Sequence, residues 1–195
     1  MADFSDLAGP TLEWDAFAEK AGLGPNAAPG SDHEIPAIRS FIMKQRLKAK
    51  EIQLSRLGDH GVSHTTISIL SHDQLDLVGR VYRPSSTALP NSVLLFLHGG
   101  GFLAGTPSTE EATCTRLAKE TGLLVVHVGY RLIPEWKSPT QLEDAWSARC
   151  WVLENFHALG LQSSPDLYVL GISAGAYLAA GLVIRERIVC STSSS

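Results

Sequence analysis

A Gly-x-Ser-x-Gly pattern occupies residues 171–175, after an apolar run and before a stretch of helical character. The pattern is typical of a nucleophile elbow, a tight strand-to-helix turn that exposes the serine hydroxyl. Gly171 and Gly175 suit such a turn, because side chains at these positions would collide with neighbouring backbone. The pattern predicts Ser173 as a nucleophile, with a serine-capped helix N-terminus as the alternative interpretation.

A second pattern, His98-Gly99-Gly100-Gly101-Phe102, ends a continuous apolar run. Consecutive glycines let backbone N–H groups point into a cavity without obstruction, as an oxyanion hole requires. The alternatives are a glycine-rich turn or a phosphate-binding loop, although the sequence lacks the Gly-Lys-Ser/Thr of a Walker loop. His98 is expected to shape this loop through hydrogen bonds. Together the two patterns favour nucleophilic catalysis by a serine.

The elements that position these motifs follow from hydrophobic periodicity and turn residues. Helices are predicted over Thr11 to about Lys20, Ile35 to Leu54, Ser108 to Gly122, Ser138 to about Ala158, and Ser173 to about Val189. Strands are predicted over Thr65–Leu70, Leu75–Arg83, Ser92–Leu97, Leu123–Val128 and Asp166–Leu170. The first two strands are expected to pair antiparallel. The later alternation of strand and helix predicts a parallel α/β sheet.

Turn and cap residues predict where some of these elements begin and end. The stretch from Gly22 to Gly30 is rich in glycine, proline and asparagine, which predicts a linker. Ser108 and Glu111 form a Ser-x-x-Glu pattern, which predicts a capping box at the start of a helix. Gly122 is expected to end that helix.

The composition is that of a folded globular domain. The chain has 195 residues, of which 44% are hydrophobic and 18% charged, enough for one domain with a sizeable core. A net charge of −4 argues against a nucleic-acid partner, because nucleic-acid-binding proteins ordinarily carry a basic patch. Three widely spaced cysteines favour a reduced compartment. With an acidic N-terminus and no apolar run of membrane-spanning length, the sequence predicts a cytoplasmic protein without a membrane span.

A third motif, Tyr130-Arg131-Leu132-Ile133-Pro134-Glu135, lies between the glycine pattern and the Ser173 turn. With the three motifs in this order, residues from about 92 to 180 resemble the hormone-sensitive-lipase-like branch of the α/β-hydrolase fold. The resemblance implies a mostly parallel sheet with flanking helices. It also implies hydrolysis of a small or medium acyl ester, a small-molecule substrate, through an acyl-serine intermediate. No metal or organic cofactor is implied.

The resemblance assigns roles to the matched residues. Ser173 would be the nucleophile, and the oxyanion hole would consist of the backbone N–H groups of Gly100, Gly101 and Ala174. The motif-supporting residues would be His98, Gly99, Gly171 and Gly175. Residues 1–60 are expected to supply N-terminal cap helices and a linker. Residues 61–195 are expected to form a partial catalytic domain that ends after the helix following the nucleophile.

The chain departs from the family pattern around and after the serine. Ile172 and Ala176 stand where the family commonly has aspartate and glycine. A carboxylate and a histidine base should follow the serine in chain order. Residues 174–195 contain no histidine or aspartate, and Glu186 is their only carboxylate side chain. We therefore expect a domain truncated on its C-terminal side, with impaired activity and an exposed sheet edge that a partner could cover.

Other interpretations stay open on the sequence alone. The chain could be a non-catalytic truncated product or a pseudoenzyme, or an amide or specialised-metabolite hydrolase on the same scaffold. His33 is an upstream candidate for the missing base, reaching the site through the cap, whereas His127 is expected in the core. Glu135 and Asp144 are expected to form structural ion pairs or caps. Trp14 is a candidate wall of the substrate pocket.

Overall fold

The structure, a computed structural model, describes residues 12–20, 35–85 and 91–192. The chain divides into two units, Met1–Ile38 and Arg39–Ser195. In the first unit, helix α1 spans Leu12–Lys20, in agreement with the helix predicted there. The predicted linker from Gly22 to Gly30 lies outside the described residues. The predicted division of the chain near residue 60 stays a prediction.

The second unit is built on a five-stranded mixed sheet with the order β1-β2-β4-β3-β5. The strands are β1 (Val62–Leu70), β2 (Asp76–Pro84), β3 (Ser92–Leu97), β4 (Leu124–Val128) and β5 (Asp166–Gly171). Strand β2 pairs antiparallel with β1 and β4, whereas β3 pairs parallel with β4 and β5. Among these described strands β2 alone is reversed, so the mostly parallel sheet predicted from the sequence is confirmed.

Four further helices are α2 (Ile35–Leu57), α3 (Glu111–Thr121), α4 (Thr140–Glu154) and α5 (Ala174–Thr192). Among the described helices, none combines the length and the hydropathy needed to cross a membrane. Side chains of β3 alternate between the two faces of the sheet. Val93, Leu95 and Leu97 pack in a core cluster with residues of α4 and α5. Leu94 and Phe96 pack with residues of α3, so burial on both faces explains the continuous apolar run of β3.

The predicted capping box at Ser108 and Glu111 is wrong. Helix α3 begins at Glu111, with Glu110 as the N-cap residue and no side-chain cap hydrogen bond. Ser108 Oγ instead accepts a hydrogen bond from Arg80 Nη2 at 3.0 Å, and Glu111 pairs with Arg80 Nη1 at 2.9 Å. Arg80, on strand β2, therefore binds both side chains of the predicted capping box. The predicted end of the helix agrees with the structure, because Gly122 adopts the left-handed conformation with φ 70°.

A buried carboxylate fixes the segment between β4 and α4. Asp144, on α4, is fully buried and accepts hydrogen bonds from Arg131 N and Nε, both at 2.9 Å, and from Nη2 at 2.5 Å. Arg131 Nη1 also pairs at 2.7 Å with Asp73, whose side chain is 38% exposed. Asp144 thus makes the kind of structural ion pair expected from the sequence. The pair holds residues 130–135 against α4.

We expect Asp144→Asn to lower the free energy of unfolding by about 3 kcal/mol, because one side of a buried ion pair loses its charge. Asp73→Asn is the matched control. It removes the charge of a carboxylate that pairs with the same guanidinium, but at an exposed position, where an ion pair contributes little. Urea denaturation followed by tryptophan fluorescence measures both variants. Equal destabilisation by the two substitutions would contradict the anchoring role of Asp144.

Candidate active site

Ser173 occupies the turn between β5 and α5. Its φ is 52°, in the left-handed region that residues other than glycine rarely adopt. Backbone hydrogen bonds from Ala176 N and Tyr177 N to Ser173 O, at 2.8 and 3.2 Å, close the turn. A serine in a strained conformation at a strand-to-helix junction has the geometry of a nucleophile elbow.

This elbow lies directly against the end of β3. A Cβ atom on Gly175 would lie 2.0 Å from Leu97 O, and one on Gly171 would lie 2.1 Å from Gly175 O. Ile172 N donates a hydrogen bond to Leu97 O at 3.2 Å. Both glycines are therefore required for the steric reason that the sequence suggests, because a side chain on Gly175 would collide with the end of β3 and one on Gly171 with the backbone of the turn itself.

The glycine loop, residues 98–102, leaves β3 beside the elbow. Gly100 and Gly101 have φ values of 129° and 62°, which favour glycine. A Cβ atom on Gly99 would lie 2.8 Å from Ile172 O. The structure thus brings together the two motifs that the sequence singled out.

Three backbone N–H groups of the loop and the elbow have no hydrogen-bond acceptor among the described residues. Within the described parts of the chain, no acceptor binds the backbone N–H groups of Gly100, Gly101 or Ala174. The Ser173 hydroxyl likewise makes no hydrogen bond to a described residue. Unpartnered N–H groups near a nucleophile can stabilise the negative charge that develops on a carbonyl oxygen under attack. The arrangement is therefore suited to acyl transfer.

His98, the first residue of the glycine loop, is fully buried. Its Nδ1 donates a hydrogen bond to Gly99 O at 2.9 Å, and its ring stacks on Tyr130 with the centroids 4.1 Å apart. The Tyr130 hydroxyl donates to His98 O at 2.6 Å. A Cβ atom on Gly105 would lie 2.1 Å from His98 Nδ1. These contacts support the expected role of His98 in shaping the loop.

Comparison with known proteins places this geometry in a known architecture. An esterase from Pyrobaculum calidifontis superposes with a TM-score of 0.70 at 34% sequence identity, over 83% of this chain and 50% of that one. A family model described as alpha/beta hydrolase fold matches residues 94–189, which include the glycine loop and the elbow. These residues belong to the α/β-hydrolase fold family. The resemblance seen in the sequence, and the fold class it implied, are confirmed.

Curated relatives of this chain are matched over only part of their own length. Ethyl acetate hydrolase from Pseudomonas putida is 40% identical over 115 residues, which are 58% of this chain and 36% of that protein. FAD-linked oxidoreductase pytB from Aspergillus terreus is 42% identical over 106 residues, which are 54% of this chain and 12% of that protein. The chain thus spans well under half the length of these two relatives.

Two buried histidines lie side by side at the base of the glycine loop. His127, on β4, is fully buried, and its ring stands edge-on to that of His98 with the centroids 5.4 Å apart. Burial lowers the pKa of His98 to about 4 and holds the pKa of His127 well below its ordinary value. His98 Nε2 and both ring nitrogens of His127 have no partner among the described residues. Both rings are therefore neutral at pH 7, and neither is bonded to Ser173.

The other residues considered from the sequence lie elsewhere in the fold. Glu135 pairs with Arg39 at 2.7 Å, the kind of structural ion pair expected for it. Asp144 belongs to the buried network at the start of α4. His33 and the side chain of Trp14 lie outside the described residues.

Two side chains beside the site gave no signal in the sequence. Tyr177, on the first turn of α5, is 66% exposed and stands edge-on to Phe102 of the glycine loop, with the ring centroids 6.0 Å apart. Arg46, on α2, places its Nη2 3.4 Å from the position of a Cβ atom on Gly100. An arginine within a basic helix is ordinarily a solvated side chain. Only the tertiary structure reveals its position beside the loop.

The two buried histidines predict that acid destabilises this fold. Unfolded histidine titrates at about 6.5, whereas the folded rings resist protonation, so the unfolded state binds more protons below that pH. The contribution of His98 to stability is complete above about pH 6.5 and is lost as the pH falls toward about 4, by up to about 1.4 kcal/mol per pH unit. His127, whose pKa is also held well below its ordinary value, adds a loss of the same sign below about pH 6.5. Urea denaturation between about pH 5 and pH 7.5 measures the slope.

His127→Leu should make this slope shallower and should cost little stability near pH 7.5, because the ring nitrogens of His127 have no partners to lose. The same pH dependence in the variant and the parent chain would contradict this assignment.

Proposed function

We propose that this chain is a carboxylic-ester hydrolase of the serine esterase or lipase type. Ser173 Oγ attacks the ester carbonyl carbon, the alcohol leaves, and water then releases the acid from the acyl-serine. The observation that carries the proposal is the strained Ser173 turn held against a loop in which the N–H groups of Gly100 and Gly101 have no partner among the described residues. The names of ethyl acetate hydrolase and of the Pyrobaculum calidifontis esterase support it.

In this proposal the oxyanion hole consists of the N–H groups of Gly100, Gly101 and Ala174. The three residues come from two chain segments that meet where β3 and β5 end. Negative charge develops on the carbonyl oxygen as Ser173 attacks, and fixed backbone dipoles stabilise it without reorganisation. One such donor contributes roughly 10²–10³ in rate.

A small or medium acyl ester of a small molecule is the proposed substrate. Ile172, next to the nucleophile, is 48% exposed, and the exposed Tyr177 packs with Phe102 beside it. These apolar side chains favour an apolar acyl or alcohol group over a charged one. Ethyl acetate hydrolase acts, by its name, on an ester of this size.

The proposed nucleophile is weakly activated in this chain. Among the described residues none forms a hydrogen bond with Ser173 Oγ, the buried His98 and His127 included. Residues 174–195 contain no histidine. For a serine with no bonded base, the oxyanion hole and substrate binding leave roughly 10³–10⁴-fold catalysis over water. The same observation favours, as the second candidate, a non-catalytic protein on this scaffold.

We expect the purified chain to hydrolyse short p-nitrophenyl esters far more slowly than a full-length esterase relative, and Ser173→Ala to change this rate little. A serine at its ordinary pKa is a weak nucleophile, so the hydroxyl contributes little to the residual rate. Side-by-side initial rates of the chain and the variant measure this. Fast turnover that depends on Ser173 would show that a base does reach the site.

A fluorophosphonate probe tests the assignment of the nucleophile itself. We expect slow labelling at Ser173, accelerated by added imidazole as an external base, and no labelling of the exposed Ser191 on the same helix. Peptide mass spectrometry locates the label, and Ser173→Ala is the control. Equal labelling at Ser173 and Ser191, with and without imidazole, would contradict a special role for Ser173 and favour the non-catalytic candidate.

We also propose that a second polypeptide covers the free edge of β5. In the described sheet β5 pairs on one side only, with β3. Tyr168 and Leu170 of β5 are 54% and 38% exposed, and Ile184 of the adjoining α5 is 62% exposed. An open strand edge with apolar side chains favours pairing with another chain, and for the purified protein that chain is a second copy. The cytoplasmic location and the lack of a nucleic-acid partner stay predictions from composition.

The purified chain is therefore expected to be poorly soluble or to self-associate through β5. Leu170→Lys should shift it toward the monomer, because a charge on an edge strand opposes pairing. Leu75→Lys, at a position 42% exposed in the connection between β1 and β2, at the opposite side of the sheet from β5, is the matched control. Light scattering after size exclusion measures the mass. A monodisperse monomer with a sharp, cooperative melt would contradict the proposal.

A further inference from the structure

Helix α2 belongs to the second unit from Arg39 onward but contributes no buried residue. Its described attachments include three ion pairs: Arg39 with Glu135, Arg46 with Glu110, and Lys50 with Glu111. The three cations are spaced by about two turns and about one turn, which places them on one face of the helix. Charged contacts therefore determine where this face of α2 lies.

Arg46 differs from the other two cations because its side chain also lies beside the glycine loop. Its Nη1 pairs with Glu110 Oε1 at 2.5 Å, and both side chains are mostly buried, at 28% and 12% exposure. Its Nη2 lies 3.4 Å from the position of a Cβ atom on Gly100. One guanidinium thus pairs with the N-cap residue of α3 and lies beside Gly100 of the loop.

The charge of Arg46 also acts on the residues that support the loop. After burial, which is the main cause, Arg46 contributes to the lowered pKa of His98. Burial raises the pKa of Tyr130, and the Arg46 charge opposes that rise. His98 and Tyr130 form the stacked pair at the base of the loop. The electrostatic effect agrees with the position of Arg46 Nη2 beside Gly100.

We infer that Arg46 is a positioning residue for the glycine loop. Its guanidinium, oriented by Glu110, packs beside Gly100 and restricts the conformation of the loop. This restriction fixes the directions of the Gly100 and Gly101 N–H groups. Docking of α2 and the geometry of the loop are thereby coupled. The consequence for catalysis rests on the proposed function, whereas the bracing of the loop does not.

Lys50 provides a matched control on the same face of α2. Its Nζ lies 3.7 Å from Glu111 Oε2, so it ties α2 to the same end of α3, one residue along from Glu110. Lys50 has no described contact with the glycine loop. Arg46→Lys is the conservative variant, because lysine keeps the charge for Glu110 but lacks the planar guanidinium, whose Nη1 pairs with Glu110 while Nη2 lies beside Gly100.

Hydrogen exchange followed by mass spectrometry tests the bracing on the full chain. In Arg46→Met we expect amide exchange across residues 99–105 to rise about tenfold, which corresponds to about 1.4 kcal/mol of lost local stability. Lys50→Met should raise exchange in α2 and leave residues 99–105 unchanged, and Arg46→Lys should fall between the two. Unchanged exchange in the loop of Arg46→Met, or an equal rise in Lys50→Met, would overturn the inference.

Two further measurements separate the inference on Arg46 from a failure of the variant to fold and from a failure of the proposed function. If Arg46→Met does not fold, Glu110→Gln removes the orienting carboxylate and should give the same increase in loop exchange; a loop unchanged in that variant overturns the inference. The rate of fluorophosphonate labelling at Ser173 should fall in Arg46→Met and not in Lys50→Met. A parent chain without labelling at Ser173 would defeat the proposed function, while the exchange data would still decide the role of Arg46.

Discussion

The register between β3 and β5 is the constraint on which the candidate site depends. Leu97 pairs with Gly171 at the end of their parallel ladder, so the chain leaves both strands at the same edge of the sheet. The glycine loop follows one strand and the nucleophile turn follows the other. A shift of one residue would turn each side chain of β5 to the opposite face. It would also move Gly175 away from Leu97 O, which lies 2.0 Å from the position that a Cβ atom on Gly175 would occupy.

Features that depend on local backbone chemistry could be predicted from the sequence. The continuous apolar run gives β3 its observed bounds, Ser92–Leu97, because both faces of that strand are buried. The glycines around Ser173 predict a turn in which side chains are excluded, and Ser173 indeed has a positive φ. Gly122 ends α3 in the left-handed conformation. In each case the residue type limits the backbone directly, so distant parts of the chain need not be known.

Features that depend on distant partners could not be predicted in this way. The pattern of Ser108 and Glu111 satisfies the capping rule, yet Arg80 binds both side chains and the helix begins later. The sequence suggested an ion pair for Glu135 but could not identify Arg39 as its partner, 96 residues away. Arg46 is one of several cations on α2, and nothing in its neighbours distinguishes it from a solvated side chain. Which cation meets which carboxylate is decided by the packing of whole elements.

The site therefore separates into two parts with different physical requirements. The backbone donors need only the sheet register and the loop conformation, and they do not titrate. Reactivity of Ser173 needs, in addition, a base that reaches its hydroxyl. His98 and His127 are held neutral by burial and serve the loop and the core. In this chain, labelling of Ser173 should therefore show no inflection at a histidine pKa while the chain is folded, and should break off only where acid unfolds the protein. A catalytic histidine bonded to Ser173 would add such an inflection, because the hydroxyl would lose its base before the fold was lost.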